Sequence, residues 1–216
     1  MDAQIDIILQ EVLIGPFSLR GLLAVPANAV GLVIFAHGSG SGRLSPRNNY
    51  VAEALRKAGC ATLLLDLLTP AEEGNRSNVF DIALLAERLT SAAAWANRQL
   101  ALQGLPIGYF GASTGAGAAL VAATFNGPEI AAIVSRGGRP DLAGDSLPLV
   151  RAPTLLLVGS LDGPVIGLNR QAYAALKAPK ELVIIDGASH LFEEPGTLDQ
   201  VIIHASHWFA GWFAKT

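Results

Sequence analysis

The chain has 216 residues, 51% of them hydrophobic and 15% charged, with a net charge of −3. That length suggests one domain with a core large enough to need no staples, and the composition excludes general disorder. The charge, with no basic block, argues against a nucleic-acid footprint. Cys60 is the single cysteine and excludes an intrachain disulfide or a cysteine-rich zinc site.

Two short β-rich runs come first, Ile5 to Ile14 and Phe17 to Val25, split by the turn signal Gly15-Pro16. They are expected to pair as an antiparallel hairpin. Strand-like runs then alternate with segments of helical spacing. The strands are Leu32 to Ala36, Ala61 to Leu65, Ile107 to Phe110, Ile130 to Ser135, Thr154 to Val158 and Leu182 to Ile185. The helices are Pro46 to Ala58, Val79 to Ala101, Ala116 to Phe125, Leu168 to Lys177 and Leu198 to Ala214. The pattern implies an α/β fold: a mostly parallel sheet of about eight strands with helices on both faces. The inner strands are nearly continuous apolar runs, as expected when both faces are covered. No run approaches the ~20 apolar residues that a bilayer span needs.

In such a sheet, ligands bind outside the carboxyl ends of the strands. The residue groups that matter are therefore the ones just after each strand. Gly111-Ala112-Ser113-Thr114-Gly115 follows the strand ending at Phe110 and opens a small-residue helix. That context turns a weak G-x-S-x-G pattern into a nucleophile elbow, with Ser113 on a strained strand-to-helix turn. A serine needs a base, and there are four histidines. His204 and His207 lie in the last helix, whose buried face is expected at Val201, Ala205, Trp208 and Trp212. His37 ends a strand and is expected to shape its loop. His190, in the loop after the last strand, is the candidate base. Asp162, in the loop after the preceding strand, is the candidate acid that holds it. Ser113, Asp162 and His190 then occur in the Ser…Asp…His order. Asp66, Asp141, Asp145 and Asp186 are the competing carboxylates.

An oxyanion needs preorganised donors. The backbone N–H groups of Thr114 and Ser39 are the candidates, Ser39 lying in the glycine-rich loop His37 to Gly42. That loop lacks the Lys-Ser/Thr of a P-loop, and no G-x-G-x-x-G follows its strand. Neither a cofactor nor a metal is expected. Arg136 and Arg139, after the sixth strand, could grip an acidic substrate group or pair with Asp141 or Asp145. Phe192 could line an acyl pocket or anchor its loop. Asp66 to Asn78 is long for a βα loop, as lids and binding loops often are.

Taken together, Phe35-Ala36-His37-Gly38-Ser39-Gly40-Ser41-Gly42, Phe110 to Gly115 and Gly187-Ala188-Ser189-His190-Leu191-Phe192 resemble the α/β-hydrolase superfamily. The resemblance is to its dienelactone hydrolase-like branch. It covers almost the whole chain and implies one domain over residues 1–216 without a separate cap. Dienelactone hydrolases proper carry cysteine at the elbow, where Ser113 stands. Cys60 lies at the opposite end of the sheet and cannot substitute. The implied activity is hydrolysis of a small ester, lactone or thioester by a serine carboxylesterase. An acyl transferase on the same triad, or a non-catalytic binder on the same fold, are the alternatives. Met1 to Gln10 carries no basic n-region, so the expected location is the cytoplasm.

Overall fold

The computed structural model describes residues 8–216, and Ile5 to Ile7 of the expected first strand lie outside them. The strands are β1 (Gln10–Ile14), β2 (Leu19–Ala24), β3 (Gly31–Ala36), β4 (Cys60–Leu65), β5 (Ile107–Ala112), β6 (Ile130–Arg136), β7 (Thr154–Gly159) and β8 (Lys180–Ile185). They form one sheet in the order β1-β2-β4-β3-β5-β6-β7-β8. β2 runs antiparallel to both β1 and β4, and every pairing from β4 to β8 is parallel.

β3, β4, β5 and β7 are buried at all six of their positions, because helices cover both faces. Leu32, Ile34 and Ala36 of β3 point into one core layer, together with residues of α4 (Ile82–Ala96), α5 (Thr114–Ala122) and α6 (Gly163–Ala175). Val33 and Phe35 point into the other, with α1 (Pro46–Lys57) and α7 (Thr197–Phe213). This alternation is the two-residue period of a strand. The chain leaves β3 toward one face and β5 toward the other. The carboxyl ends of these adjacent strands therefore flank a crevice at the topological switch point.

Local sequence explains the helix starts. Ser45 caps α1 by accepting from Asn48 N–H, with Pro46 in the first turn, and Asp81 caps α4 by accepting from Leu84 N–H; both caps satisfy otherwise orphaned donors. The helix expected over Val79 to Ala101 is shorter for this reason. Asp81 starts it, and it ends at Ala96 before a 3₁₀ turn at Leu100–Leu102. α6 begins at Gly163, five residues earlier than expected, since Asp162 already occupies its N-cap position and Pro164 fits its first turn. The stretch after β4, expected as a loop, contains two single-turn helices, α2 (Pro70–Glu73) and α3 (Arg76–Val79). The buried stripe of α7 is Val201, Ala205, Phe209 and Phe213. Trp208 and Trp212, expected on that stripe, are half-buried at its flank, their rings 5.9 Å apart. No helix among the described residues is long and apolar enough to cross a membrane.

Candidate active site

The carboxyl ends of β3, β5, β7 and β8 supply the site. β5 ends at Ala112, and Ser113 takes φ 50° and ψ −123° before α5 begins at Thr114. A non-glycine residue in that conformation is strained and persists only where its surroundings impose it. Here they do. Ser113 C=O accepts from the N–H groups of Ala116 (3.1 Å) and Arg139 (3.0 Å). A Cβ on Gly111 would come within 2.5 Å of Ala116 Cα, and one on Gly115 would strike the Ala36 carbonyl. Both flanking glycines of the motif are thus required by how closely β5, α5 and β3 approach. The elbow holds the Thr114 N–H at a helix N-terminus, where the first N–H groups have no intrahelical acceptor and the dipole favours negative charge.

His190 sits in the loop after β8. That loop is tied down by Ser189 N–H to Glu194 Oε2 (3.0 Å), Gly187 N–H to Ser160 Oγ (2.8 Å) and Leu161 N–H to Ala188 C=O (3.0 Å). Hydrogen bonds to the Glu194 carboxylate, from the backbone N–H of Ser189 above all, hold it below the usual carboxyl range. His190 Nδ1 lies 2.7 Å from Asp162 Oδ2, the Asp162 side chain being only 11% exposed. The other carboxylates are engaged elsewhere or lie apart. Asp66 accepts from the backbone N–H and guanidinium of Arg43, Asp141 takes the Arg139 fork, and Asp186 faces Ser160 Oγ at 3.4 Å. The hydrogen bonds of the described residues include His190–Asp162 but none joining Ser113 Oγ to the imidazole.

His37, buried at the end of β3, is locked by both ring nitrogens. Nε2 accepts from Leu67 N–H (3.0 Å), and Nδ1 donates to Gly38 C=O (2.9 Å). This fixes the start of the glycine-rich loop. Gly38 passes so close to Ser113 that a Cβ there would lie 2.9 Å from its Cβ and 3.6 Å from its Oγ. Ser39 N–H, the candidate oxyanion donor, points to Thr114 Oγ1 at 3.1 Å.

The two arginines divide between the alternatives. Arg139 donates two bonds to Asp141, at 2.9 and 2.7 Å, so its fork is occupied. Arg136 pairs with neither aspartate. Its guanidinium is buried, donates to Asn48 Oδ1 at 3.1 Å and lies 5.9 Å from the Phe192 ring centre. Desolvation, with Arg47's charge second, pulls it down to about 10. It sits on the α1 and α7 face because Arg136 continues the alternation of Ala132 and Val134. Phe192 is 2% exposed with φ 56° and packs in that core layer, as a loop anchor would. Burial pushes the Cys60 thiol up to about 11, which keeps it an unreactive neutral group.

A cavity of about 350 Å³ opens beside the glycine-rich loop. Gly38, Ser39 and Thr114, the apolar Leu68, Val79 and Leu85, and Glu73 are among its lining residues. The residues from α2 and its flanks were signalled only by the length of the stretch after β4. The Thr114 hydroxyl was signalled only by its place next to Ser113.

No family model matches the chain. A dienelactone hydrolase from Anabaena variabilis is 54% identical and superimposes with a TM-score of 0.91, over 96% of this chain and 98% of that one. Est1E from Butyrivibrio proteoclasticus (15% identity, TM-score 0.80, 95% and 99% coverage) and an alpha-beta serine hydrolase homologue from Coxiella burnetii (19%, 0.73, 96% and 98%) share the fold. Two Mycobacterium tuberculosis proteins, provisionally named phosphoribosyl transferases, are 58% identical over 199 residues, 92% of this chain. The chain spans 45% of their length. The sheet order, the elbow and the site at the strand ends define an α/β-hydrolase fold. Within that class, the chain belongs to the dienelactone hydrolase-like branch.

Proposed function

We propose that the chain is a serine hydrolase that cleaves a small carboxylic ester, lactone or thioester through an acyl-enzyme on Ser113. The observation that carries this reading is the strained Ser113 on the same sheet edge as the 2.7 Å His190–Asp162 pair. Ser113 Oγ attacks the carbonyl carbon while His190 Nε2 takes its proton, and the C=O pair moves onto oxygen. The tetrahedral species collapses, expelling the leaving group, which receives that proton. Water, deprotonated by the same imidazole, then attacks the acyl carbon and frees Ser113. Asp162 keeps Nδ1 protonated and stabilises the imidazolium. The oxyanion is held from the Thr114 and Ser39 side of the site. The reaction needs no cofactor, and the cavity volume suits a small substrate.

The transferase name of the mycobacterial relatives belongs to proteins more than twice as long as the stretch matched, and this chain spans only 45% of their length. A panel of p-nitrophenyl esters, lactones and acyl thioesters, run beside Ser113→Ala, tests the proposal. Turnover of at least one class, abolished by Ser113→Ala, is the expected result. Turnover that survives Ser113→Ala would overturn it, as would inactivity on the whole panel together with a Ser113 that no fluorophosphonate labels.

A further inference from the structure

The oxyanion side of the site holds a group that the two-amide scheme leaves unused. Thr114 Oγ1 accepts the Ser39 N–H at 3.1 Å. That amide therefore already has a side-chain acceptor. The threonine hydroxyl is in the complementary state. Its oxygen is occupied as an acceptor, and no described residue takes its own proton. A hydroxyl can donate one bond while accepting another, and accepting a bond polarises it toward donating.

Three observations put that hydroxyl beside the candidate site. Thr114 is 5% exposed, so bulk water does not compete freely for it. Thr114, Gly38 and Ser39 line the same cavity. Thr114 also directly follows the nucleophile, and its backbone N–H is the elbow's own oxyanion donor. Its N–H and its hydroxyl belong to one residue, and the Ser39 N–H bond at 3.1 Å holds Oγ1 on the glycine-rich-loop side of the elbow. We propose that the Thr114 hydroxyl, backed by Ser39 N–H, is the second oxyanion donor, completing a hole in which both direct contacts come from Thr114. The inference rests on the acyl-enzyme reading above and deepens it. No proton is transferred from Thr114; its O–H shortens its bond to the carbonyl oxygen as charge develops there and relaxes when the intermediate collapses.

The two schemes predict opposite effects from Thr114→Val, which keeps the shape and removes the hydroxyl. If Ser39 N–H were the direct donor, valine would release it and the enzyme would be as fast or faster. If the hydroxyl is the donor, kcat falls by about 10²-fold, the typical effect of losing one such donor, with KM changed only a few-fold. The rate of fluorophosphonate labelling of Ser113 falls in parallel, because the phosphoryl oxygen needs the same hole. Thr114→Ser, which keeps the hydroxyl, restores both rates to within a few-fold of the parent. Melting curves accompany each variant; if valine unfolds the protein, Thr114→Ala takes its place. Unchanged or faster rates in the variant lacking the hydroxyl would overturn the proposal while leaving the serine hydrolase reading intact, as would a serine variant as slow as valine. A parent protein whose Ser113 is neither labelled nor active overturns both.

Discussion

Asp162 shows what a single residue's sequence position can and cannot reveal. Its place four residues past the apolar core of β7 put it at the correct sheet edge, but so did that of four other aspartates. Chain order favoured Asp162, but the folded chain adds what order cannot, the partners of its competitors, such as Arg43 for Asp66 and Ser160 for Asp186. Asp162→Asn is expected to leave the melting temperature nearly unchanged and to lower kcat by up to about 10⁴, through loss of the tautomer that presents Nε2 as a base. Full activity in that variant, with a loss in Asp186→Asn, would move the acid to the end of β8. Thr114 illustrates the opposite case. A sequence shows which residue follows the nucleophile, and hence which amide is offered, but not whose hydroxyl meets whose N–H 75 positions away.

At the scale of elements, the strands were legible because burial on both faces writes an uninterrupted apolar run, and the long helices because 3.6-residue spacing accumulates over several turns. A four-residue helix carries no period to read. The turn at Thr69-Pro70-Ala71-Glu72 was nevertheless written as a capping box. Thr69 Oγ1 accepts from Glu72 N–H, and Glu72 Oε2 accepts from Thr69 N–H at 2.8 Å. Glu72 also pairs with Arg88 of α4, whose guanidinium lies over the Phe17 ring at 3.4 Å. One carboxylate thereby ties the cavity wall to α4 and to the β1–β2 turn. The Thr69 amide above all, with Arg88 adding to it, holds the Glu72 carboxyl below its ordinary range. A carboxyl depressed in the folded state stabilises fully above its unfolded pKa, and that stabilisation is lost as pH falls through the folded value. Glu72→Gln should therefore cost about 1 kcal/mol at neutral pH, the usual scale of a cap. The parent and variant melting temperatures should converge as the pH drops below the ordinary carboxylate range. A constant gap down to pH 2 would show that Glu72 acts through packing alone.

At the scale of the whole molecule, the sheet edge was predictable and the strand order was not. Which ends gather the chemistry follows from βα alternation, whereas the placement of β3 between β4 and β5 depends on pairings far apart in sequence. Charge distribution was the least legible feature. Arg136 and Arg139 were open either to an anion grip or to pairing with Asp141 or Asp145; Arg139 is bound to Asp141, and Arg136 is buried beside Asn48. Arg43, Arg47 and Arg88 are likewise paired with Asp66, Glu193 and Glu72. Among the described residues that line the cavity, one carries a formal charge of its own, the exposed carboxylate Glu73, beside apolar side chains and the polar loop and Thr114, with no lysine or arginine. A substrate carrying its own carboxylate would approach a like charge with no compensating cation. The expected outcome is a preference for a neutral p-nitrophenyl ester over an acidic one of matched length. At low ionic strength the kcat/KM ratio should be about fivefold, as one partly solvated charge pair near 1 kcal/mol gives. Raising the salt should shrink the ratio, because exposed charges are screened over about 10 Å at 0.1 M. Glu73→Lys should reverse it, while Arg136→Ala should alter both esters equally, lowering the melting temperature through the donor that Asn48 loses. An acidic ester turned over as well as the neutral one at low salt, with a selective loss in Arg136→Ala, would instead make that buried guanidinium a substrate contact.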